Sequence, residues 1–346
     1  MSSIRREWRG AVELVVETDQ GPLPALAYVA VVGRPHVGDR VLLNTTALTL
    51  ELGTGGYAMV VAVPDRLPAD DDGPGHVVKA RYTPTQTTVL AVDEQGSPHH
   101  DVLRDADDIG GMPVVVADLH SALPAILAGL RDRRPEARVV YVMSDGGALP
   151  VWFSRTVAGL IDAAWLAATV TVGQAFGGDV EAVTLHSGLL AARHVLNADL
   201  VVVTQGPGNL GTGTRWGFSG VATGEAVNAT GVLGGRPVAT LRLSETDPRP
   251  RHRGVSHHSL TAYGRVALVP ADVVVPQLPG EFGELVRRAV AALAQRHRMV
   301  EVPVDGLLDV LRKTPVTLSS MGRALDDDQA YFLAAAAAGR HVASLL

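Results

Sequence analysis

Residues 198–220 read ADLVVVTQGPGNLGTGTRWGFSG, a short apolar run that ends at Gln205 and continues into a loop containing six glycines. A short valine-rich run bounded by turn residues is typical of a buried strand in a parallel sheet. Glycine adopts positive φ freely and lets a ligand approach the backbone, so such a loop exposes N–H donors, usually to an anion. The stretch therefore predicts a strand that ends in an anion-binding loop.

The chain on both sides of this stretch repeats the same alternation. Strand-like runs at 138–145 (RVVYVMSD), 169–173 (TVTVG) and 236–244 (RPVATLRLS) are separated by segments of helical length and spacing. A repeat of strand, helix and strand predicts an α/β fold with a mostly parallel sheet and helices on both faces. Residues 83–86 (TPTQ) match a capping box with proline at the first helical position, and they predict the start of a helix.

The first part of the chain has a different pattern. Short β-rich runs alternate with turn residues at close spacing over residues 8–63, which predicts a small barrel or sandwich. A stretch rich in proline, glycine and aspartate follows, and its aspartates Asp70, Asp71 and Asp72 are interpreted as solvated charge. We divide the chain into a small barrel-like β domain over 1–66, a linker or surface loop over 67–75, and an α/β domain over 76–346.

Composition excludes several classes of function. A net charge of −6 on 346 residues disfavours non-specific binding to nucleic acid or to an anionic membrane. The absence of cysteine excludes disulfides, thiol catalysis and cysteine-bound metal. The chain has no apolar run of about 18 residues, and its first residues do not resemble a signal peptide. We expect a cytoplasmic protein that does not contact a membrane.

The glycine pattern Gly206, Gly208 and Gly211 matches G-x-G-x-x-G, but its context argues against an NAD site. The dinucleotide motif needs a helix that opens at the third glycine and an acidic residue about 20 positions later. Here the loop runs on, and the acid at the end of the next strand, Glu245, comes too late. No Gly-Lys-Ser/Thr sequence is present, so the phosphate-binding loop of nucleoside triphosphatases is excluded as well.

Three glycine-rich loops follow three predicted strands, at 143–147, 173–179 and 206–215. The carboxyl ends of parallel strands meet at one edge of a sheet, so we expect these loops to form a shared site with Asp145 and Asp179 in its walls. The two carboxylates are candidates for magnesium ligands or for a general base. For Asp179 the alternative is that it caps the following helix.

A fourth segment, residues 247–258 (DPRPRHRGVSHH), concentrates positive charge in an acidic chain. Arginine side chains suit phosphate or carboxylate, and His257 and His258 could donate to the same anion or act as acid and base. Adjacent histidines on a strand point to opposite faces, which argues against one shared metal unless the backbone turns there. An exposed basic loop and a nucleophilic role for Ser256 are the remaining interpretations of this segment.

Long sequence strings also carry a family resemblance. They are KARYTP at 79–84, MSDGGALP at 143–150, GQAFGGDVEAV at 173–183, SGLLAARHVL at 187–196, GPGNLGTGTRWGFSG at 206–220 and RHRGVSHHSLT at 251–261. In these strings the chain resembles an uncharacterised bacterial family, domain of unknown function 3866. The family has no established reaction, so the resemblance implies membership and supplies no catalytic residues.

The leading hypothesis is a cytoplasmic enzyme that binds a small anionic substrate, phosphorylated or nucleotide-like, with magnesium-assisted hydrolysis or group transfer. The catalytic candidates are Asp145, Asp179, His257 and His258, the first two being also the candidate metal ligands. The substrate-binding candidates are Gly206, Gly208, Gly211, Thr212, Gly213, Thr214, Arg251 and Arg253.

The alternative hypothesis is a non-catalytic ligand sensor or assembly protein whose N-terminal β domain contacts a protein or RNA partner. Residues 1–63 lack a basic stripe with interleaved aromatic residues, so nucleic acid is the less favoured partner. The alanine-rich C-terminal helix permits close helix contacts, which we expect within the monomer first, with a homo-oligomer as the alternative.

Overall fold

The structure is a computed structural model that describes residues 1–52, 55–70 and 73–346. Asp70 is exposed, as expected of a solvated charge, whereas Asp71 and Asp72 lie outside the described residues. Within the described ranges no helix combines the length and the apolar character needed to cross a bilayer.

The N-terminal part forms a small mixed sheet. Its strands are β1 (Ser3–Trp8), β2 (Ala11–Thr18), β3 (Gly21–Tyr28), β4 (Leu42–Asn44) and β5 (Ala58–Ala62), and its short helices are α1 (Val29–Val32) and α2 (Thr46–Thr49). The strand order is β1-β2-β3-β5-β4, with β3 and β5 parallel and the other pairs antiparallel. Val12, Leu14 and Val16 alternate along β2 and pack into a separate small core, while the opposite face of the strand is also buried at Ala11 and Glu13.

The remaining strands are β6 (Val77–Lys79), β7 (Thr87–Val89), β8 (Pro113–Val116), β9 (Val139–Ser144), β10 (Ala168–Thr171), β11 (Val180–Glu181), β12 (Leu200–Gln205), β13 (Arg236–Thr240), β14 (Leu243–Ser244), β15 (Gly254–Val255), β16 (Asp272–Gln277), β17 (Arg298–Pro303), β18 (Ser319–Ser320) and β19 (Arg323–Ala324). Eight of them form the main sheet in the order β11-β10-β9-β12-β8-β13-β16-β17, and every neighbouring pair is parallel. The α/β prediction is confirmed.

The other helices are α3 (His100–Leu103), α4 (Leu123–Arg131), α5 (Arg155–Asp162), α6 (Leu185–His194), α7 (Ala222–Val232), α8 (His257–Thr261), α9 (Gly280–Val290), α10 (Leu307–Leu311) and α11 (Gln329–Ala343). The chain moves one way along the sheet from β8 to β9 and the other way from β11 to β12. Right-handed crossovers therefore place α4 and α6 on opposite faces. The strand order reverses beside β12, which is where open α/β sheets form a crevice at their carboxyl edge.

The C-terminal helix α11 packs against α4 with almost no space between the two backbones. A β-carbon on Gly129 would lie 1.9 Å from the carbonyl oxygen of Ala336, and one on Gly339 would lie 1.9 Å from that of Ile126. The alanine run in α11 is buried against this contact. The small residues thus serve helix packing within the monomer.

The prediction that a helix starts at residues 83–86 is wrong. This segment is the turn between the antiparallel strands β6 and β7. Tyr82 has a φ of +61°, and its N–H donates to the side-chain oxygen of Gln86 at 3.0 Å. Strand pairing on both sides overrides the local capping pattern, because the capping residues have no apolar helix face to follow them.

Candidate functional site

The glycine-rich loop, residues 206–217, leaves β12 and ends at Phe218, which packs on the histidines of the fourth segment. The ring of Phe218 stacks on that of His258 with centroids 3.8 Å apart and an angle of 8°. The same ring contacts His257 edge-on at 5.6 Å. A β-carbon built on Gly213 would lie 3.8 Å from Cζ of Arg251. The structure therefore brings the loop and residues 247–258 into one surface.

The two adjacent histidines point together because the backbone turns at this position. Ser256 is the N-cap of α8, which begins at His257, so the pair lies on the first turn of a helix instead of on a strand. Their ring centroids are 4.5 Å apart, and the ring of His252 lies 5.1 Å from His257 and 4.9 Å from His258. The prediction of opposite faces assumed a strand and excepted a backbone turn, and the structure shows that exception.

Two buried charged residues support this cluster and were missed from the sequence. Oδ2 of Asp118, after β8, lies 3.4 Å from Nη1 of Arg242, after β13, and 3.2 Å from Nδ1 of His258. Burial raises the pKa of Asp118, but the charge of Arg242 and the hydrogen bond to His258 outweigh burial and leave the pKa below its usual value. Asp118 is therefore ionised. The only sign in the sequence was an aspartate one residue beyond a valine run, at the end of VVVAD over 114–118.

The rings of His252 and His257 are held in their neutral form. Burial and, to a smaller extent, the nearby charge of Arg242 lower the pKa of His252 to about 3. Burial also lowers the pKa of His257, with additional repulsion from His258 and Arg251. Neutral imidazole keeps a nitrogen lone pair, which a metal ion or a proton can take.

Ser256 has a structural role in this cluster. It is fully buried, its Oγ accepts the backbone N–H of His258 at 3.2 Å, and it hydrogen bonds Nδ1 of His252 at 2.8 Å. These bonds begin helix α8 and orient one histidine ring. The geometry assigns Ser256 to the helix cap and not to a nucleophile.

Other predicted binding residues have partners of their own. Oγ1 of Thr212 donates to the carbonyl of Gly217 at 3.2 Å, and the N–H of Gly217 donates to Oγ1 of Thr214 at 3.1 Å. These bonds close the exposed tip of the loop. Nε of Arg253 donates to the carbonyl of Glu245 at 3.2 Å. The two threonine hydroxyls and Arg253 are thus used to shape the loops.

Asp145 and Asp179 do not meet. Oδ2 of Asp145 accepts the N–H of Gln174 at 2.8 Å, and Asp145 lines a cavity of about 300 Å³ at the carboxyl edge, between α6 and α7. Oδ1 of Asp179 binds Arg9 at 2.5 Å and its Oδ2 accepts from Oγ1 and N of Thr169, both at 2.8 Å. Asp179 therefore joins the N-terminal sheet to β10 and does not line this cavity.

Lys79 is one of two lysines in the chain, and it holds the loop beside Asp145 in place. Its ammonium is fully buried and donates to the carbonyls of Gly173 at 2.8 Å and Ala175 at 3.0 Å. Glu181 lies 3.5 Å away as its ion partner. Burial outweighs the attraction of this pair, since it lowers the pKa of Lys79 and raises that of Glu181.

The glycines Gly206, Gly208 and Gly211 line a second, larger cavity of about 720 Å³. Its wall includes His120, whose Nε2 lies 2.7 Å from Oγ of Ser154 and whose Nδ1 lies 3.0 Å from the hydroxyl of Tyr141. Burial lowers the pKa of His120 to about 4, so the ring is neutral.

The smaller cavity of 300 Å³ contains an unpartnered polar atom. The amide oxygen of Gln205, which lines it, is buried with no hydrogen-bond partner in the described part of the chain.

The fold and the site define a parallel α/β protein with a small N-terminal β unit and a polar cluster at the carboxyl edge of its sheet. The chain belongs to the family described as protein of unknown function (DUF3866), whose model matches residues 24–339. The resemblance to this family seen in the sequence strings is confirmed. No curated protein and no solved structure matches the chain.

Proposed function

We propose that the protein is an enzyme that binds a small phosphate-bearing substrate and hydrolyses or transfers its phosphate group. The proposed site is the surface where the loop over 206–217 meets residues 247–258. The observation that carries the proposal is the position of Arg251, an exposed cation next to Gly213 whose charge helps to lower the pKa of His257.

Arg251 is available for a ligand. It makes no hydrogen bond and no ion pair with any residue in the described ranges, whereas the neighbouring Arg249 is held by Asp247 through two hydrogen bonds at 2.9 and 2.8 Å. A guanidinium group binds phosphate through two parallel N–H bonds. On a chain of net charge −6, this free arginine at a glycine loop favours an anionic ligand.

His257 supplies the second element of the proposal. Its Nε2 atom is buried and has no hydrogen-bond partner among the described residues. Burial keeps the ring neutral, so it can accept a proton from an attacking water or hydroxyl group. A general base that activates water and an arginine that stabilises the charge on the phosphate are two groups that can catalyse phosphate ester hydrolysis.

The proposal does not use the aspartate pair as a magnesium site. Magnesium needs free carboxylate oxygens, and both oxygens of Asp179 already bind Arg9 and Thr169. Asp145 lines the 300 Å³ cavity, whose lining residues do not include Arg251 or His257, so its predicted catalytic role stays a prediction. An NAD role remains disfavoured by the sequence spacing alone, and the expected cytoplasmic location stays a prediction.

The experiment is hydrolysis of two chromogenic esters, p-nitrophenyl phosphate and bis(p-nitrophenyl) phosphate, by the full chain. A charged hydrogen bond contributes about 1.5 to 3 kcal/mol, so Arg251→Gln should lower kcat/KM roughly 10- to 100-fold. Arg133→Gln is the matched control, because Arg133 is also exposed and lies after α4, away from the loop. Activity of Arg251→Gln equal to that of the wild type, or no hydrolysis of either ester, overturns the proposal.

The sensor or assembly hypothesis stays a prediction as well. The N-terminal unit is attached to the α/β part, since Nε1 of Trp8 donates to the carbonyl of Trp152 at 2.6 Å. This contact and the pair between Arg9 and Asp179 occupy one edge of the unit. Neither contact identifies a partner.

A further inference from the structure

We propose that His252, His257 and His258 bind one divalent transition-metal ion of the zinc class. One ring nitrogen of each histidine lies within 4.8 Å of one ring nitrogen of each of the others. The proposal deepens the function proposed above and changes one role in it, because Nε2 of His257 cannot accept a proton while it binds a metal. In the metal-loaded protein a metal-bound water would supply the nucleophile in place of that base. A catalytic use of the metal rests on the proposed function, whereas the binding of the metal does not.

The ring positions fit a single ion. A histidine nitrogen bonds zinc at ~2.1 Å, which places its ring centroid about 3.2 Å from the metal, so rings at tetrahedral angles have centroids about 5.2 Å apart. The observed separations are 5.1 Å between His252 and His257, 4.9 Å between His252 and His258, and 4.5 Å between His257 and His258. The ligand nitrogens lie within 4.8 Å of one another, whereas nitrogens bound to one tetrahedral ion lie about 3.4 Å apart, so the rings must turn inward when the ion binds.

The free nitrogens can be named. Nδ1 of His252 is bonded to Oγ of Ser256, and Nδ1 of His258 lies 3.2 Å from Oδ2 of Asp118. Nε2 of each of these rings therefore remains for a ligand. Nε2 of His257 is buried, with no partner among the residues that the structure describes. A buried nitrogen without a partner is costly unless something binds it.

Asp118 is the positioning residue of the site. Metal-binding histidines usually donate their other N–H to a carboxylate, which fixes the ring and its protonation. Nδ1 of His258 also lies 3.1 Å from Nη1 of Arg242, and a single nitrogen cannot serve both neighbours. If Nδ1 of His258 carried no proton, its lone pair would repel the ionised carboxylate of Asp118. Arg242 does not need Nδ1 as an acceptor, because its N–H can donate to Asp118. We therefore assign the proton of His258 to Nδ1.

The donor set selects the class of ion. Three imidazole nitrogens suit zinc, copper, nickel or iron, whereas magnesium prefers oxygen ligands. The nearby arginines do not prevent binding, since Arg242 is paired with Asp118 and Arg249 with Asp247. Three protein ligands leave a coordination position for water or a substrate oxygen, next to the free cation of Arg251. The metal would act there as a Lewis acid on a phosphate oxygen.

The test is a titration of the chelator-treated full chain with Co²⁺, read by visible absorption, and with Zn²⁺, read by calorimetry. We expect one ion per chain and an absorption spectrum of four-coordinate cobalt. His257→Gln should weaken binding at least about 100-fold, since it removes one of three ligands. The control His36→Gln removes an exposed histidine of the N-terminal unit and should leave binding unchanged.

The variant Asp118→Asn tests positioning, with an expected 10- to 100-fold loss of metal affinity. Circular dichroism of the metal-free variants shows whether each is folded. The wild-type titration and His257→Gln decide the proposal even where Asp118→Asn unfolds. The proposal is overturned when the wild type binds neither ion at micromolar concentration, or when folded His257→Gln binds as the wild type does.

A further variant separates the two proposals. Arg251→Gln should bind Zn²⁺ with wild-type affinity, because Arg251 is not a ligand. Stoichiometric metal binding without hydrolysis of either ester supports the metal site and rejects the proposed reaction. Hydrolysis that persists unchanged in the presence of a strong chelator rejects a catalytic role for the metal.

Discussion

Oδ2 of Asp118 lies 3.2 Å from Nδ1 of His258, although 140 positions separate the two residues in the sequence. The aspartate follows the central strand β8, and the histidine lies on a helix that follows β15. Both are buried, and Arg242 completes the group at 3.4 Å from the same oxygen. This one carboxylate connects the middle of the sheet with the histidine cluster.

Removal of the charge on Asp118 should destabilise the fold. Asp118→Asn leaves Arg242 as an uncompensated buried cation, which costs roughly 3 to 5 kcal/mol of unfolding free energy. Asp101→Asn breaks an exposed pair with Arg104 and should cost less than about 1 kcal/mol. Urea denaturation of the two variants checks this, and equal small losses would show that Arg242 is hydrated in the folded state.

Replacement of Lys79 should have a comparable effect for a different reason. Lys79→Met leaves the carbonyls of Gly173 and Ala175 without their buried donor and Glu181 without its cation. We expect a loss of roughly 3 to 5 kcal/mol in the free energy of unfolding. Lys313→Met, at the other lysine, is exposed and should change stability by less than about 0.5 kcal/mol.

The double variant Lys79→Met with Glu181→Gln provides a further check. It removes both charges and should recover part of the loss, because burial disfavours each charge separately. A double variant that is less stable than the sum of the two single variants would contradict this explanation.

The contact between α4 and α11 should not tolerate a methyl group. Gly129→Ala places its β-carbon against the carbonyl of Ala336, so the helices must separate, and overpacking of this kind costs about 1 to 3 kcal/mol. Gly96→Ala meets only ordinary contacts at 3.9 Å or more and has no positive φ. It should be neutral or slightly stabilising. Thermal unfolding compares the two variants, and a neutral Gly129→Ala would refute the close packing.

Stability should fall as the solution becomes acidic between about pH 6.5 and 4.5. An unfolded histidine has a pKa near 6.5, whereas burial lowers the pKa of His120 to about 4 and that of His252 to about 3. The unfolded state binds more protons than the folded state in this range, so the stabilisation is present above pH 6.5 and is lost on acidification.

Each of these histidines contributes at most about 1.36 kcal/mol per pH unit. Urea denaturation at half-unit steps of pH measures how steeply the free energy of unfolding changes with pH. His120→Gln should make this slope smaller, because one histidine no longer takes up a proton on unfolding. The carboxylates with lowered pKa, such as Asp247 and Asp272, act only nearer pH 4, because an unfolded aspartate titrates near 3.9. A flat stability between pH 7 and 5 would show that the folded rings titrate as they do in the unfolded chain, with a pKa near 6.5.

Much of the fold could be predicted because its information is local. The valine-rich run of β12 and the glycines after it specify a buried strand and its end whatever the neighbouring strands are. The alternation along residues 138–244 likewise predicted parallel strands with covering helices. The failure at residues 83–86 has a tertiary cause, since pairing of β6 with β7 determined the conformation there.

The candidate site was predictable only in part. The glycine loop and residues 247–258 were identified from composition, and the structure places them together through Phe218 and Gly213. Asp179 was grouped with Asp145 because both follow strands, yet its carboxylate faces Arg9 of the N-terminal unit. A sequence shows that an aspartate ends a strand, but not which way its side chain turns or what it meets.

The sequence by itself determined the parallel α/β class, the small N-terminal β unit, the family, and the glycine-rich and arginine-histidine segments. Hydrophobic periodicity and glycine content are properties of short stretches, so they can be recognised without knowing which segments pack together. Only the tertiary structure decided that His252, His257 and His258 converge and that Asp118 and Arg242 lie beneath them. These contacts depend on strand order and on one helix start at His257, and both are set by the packing of distant segments.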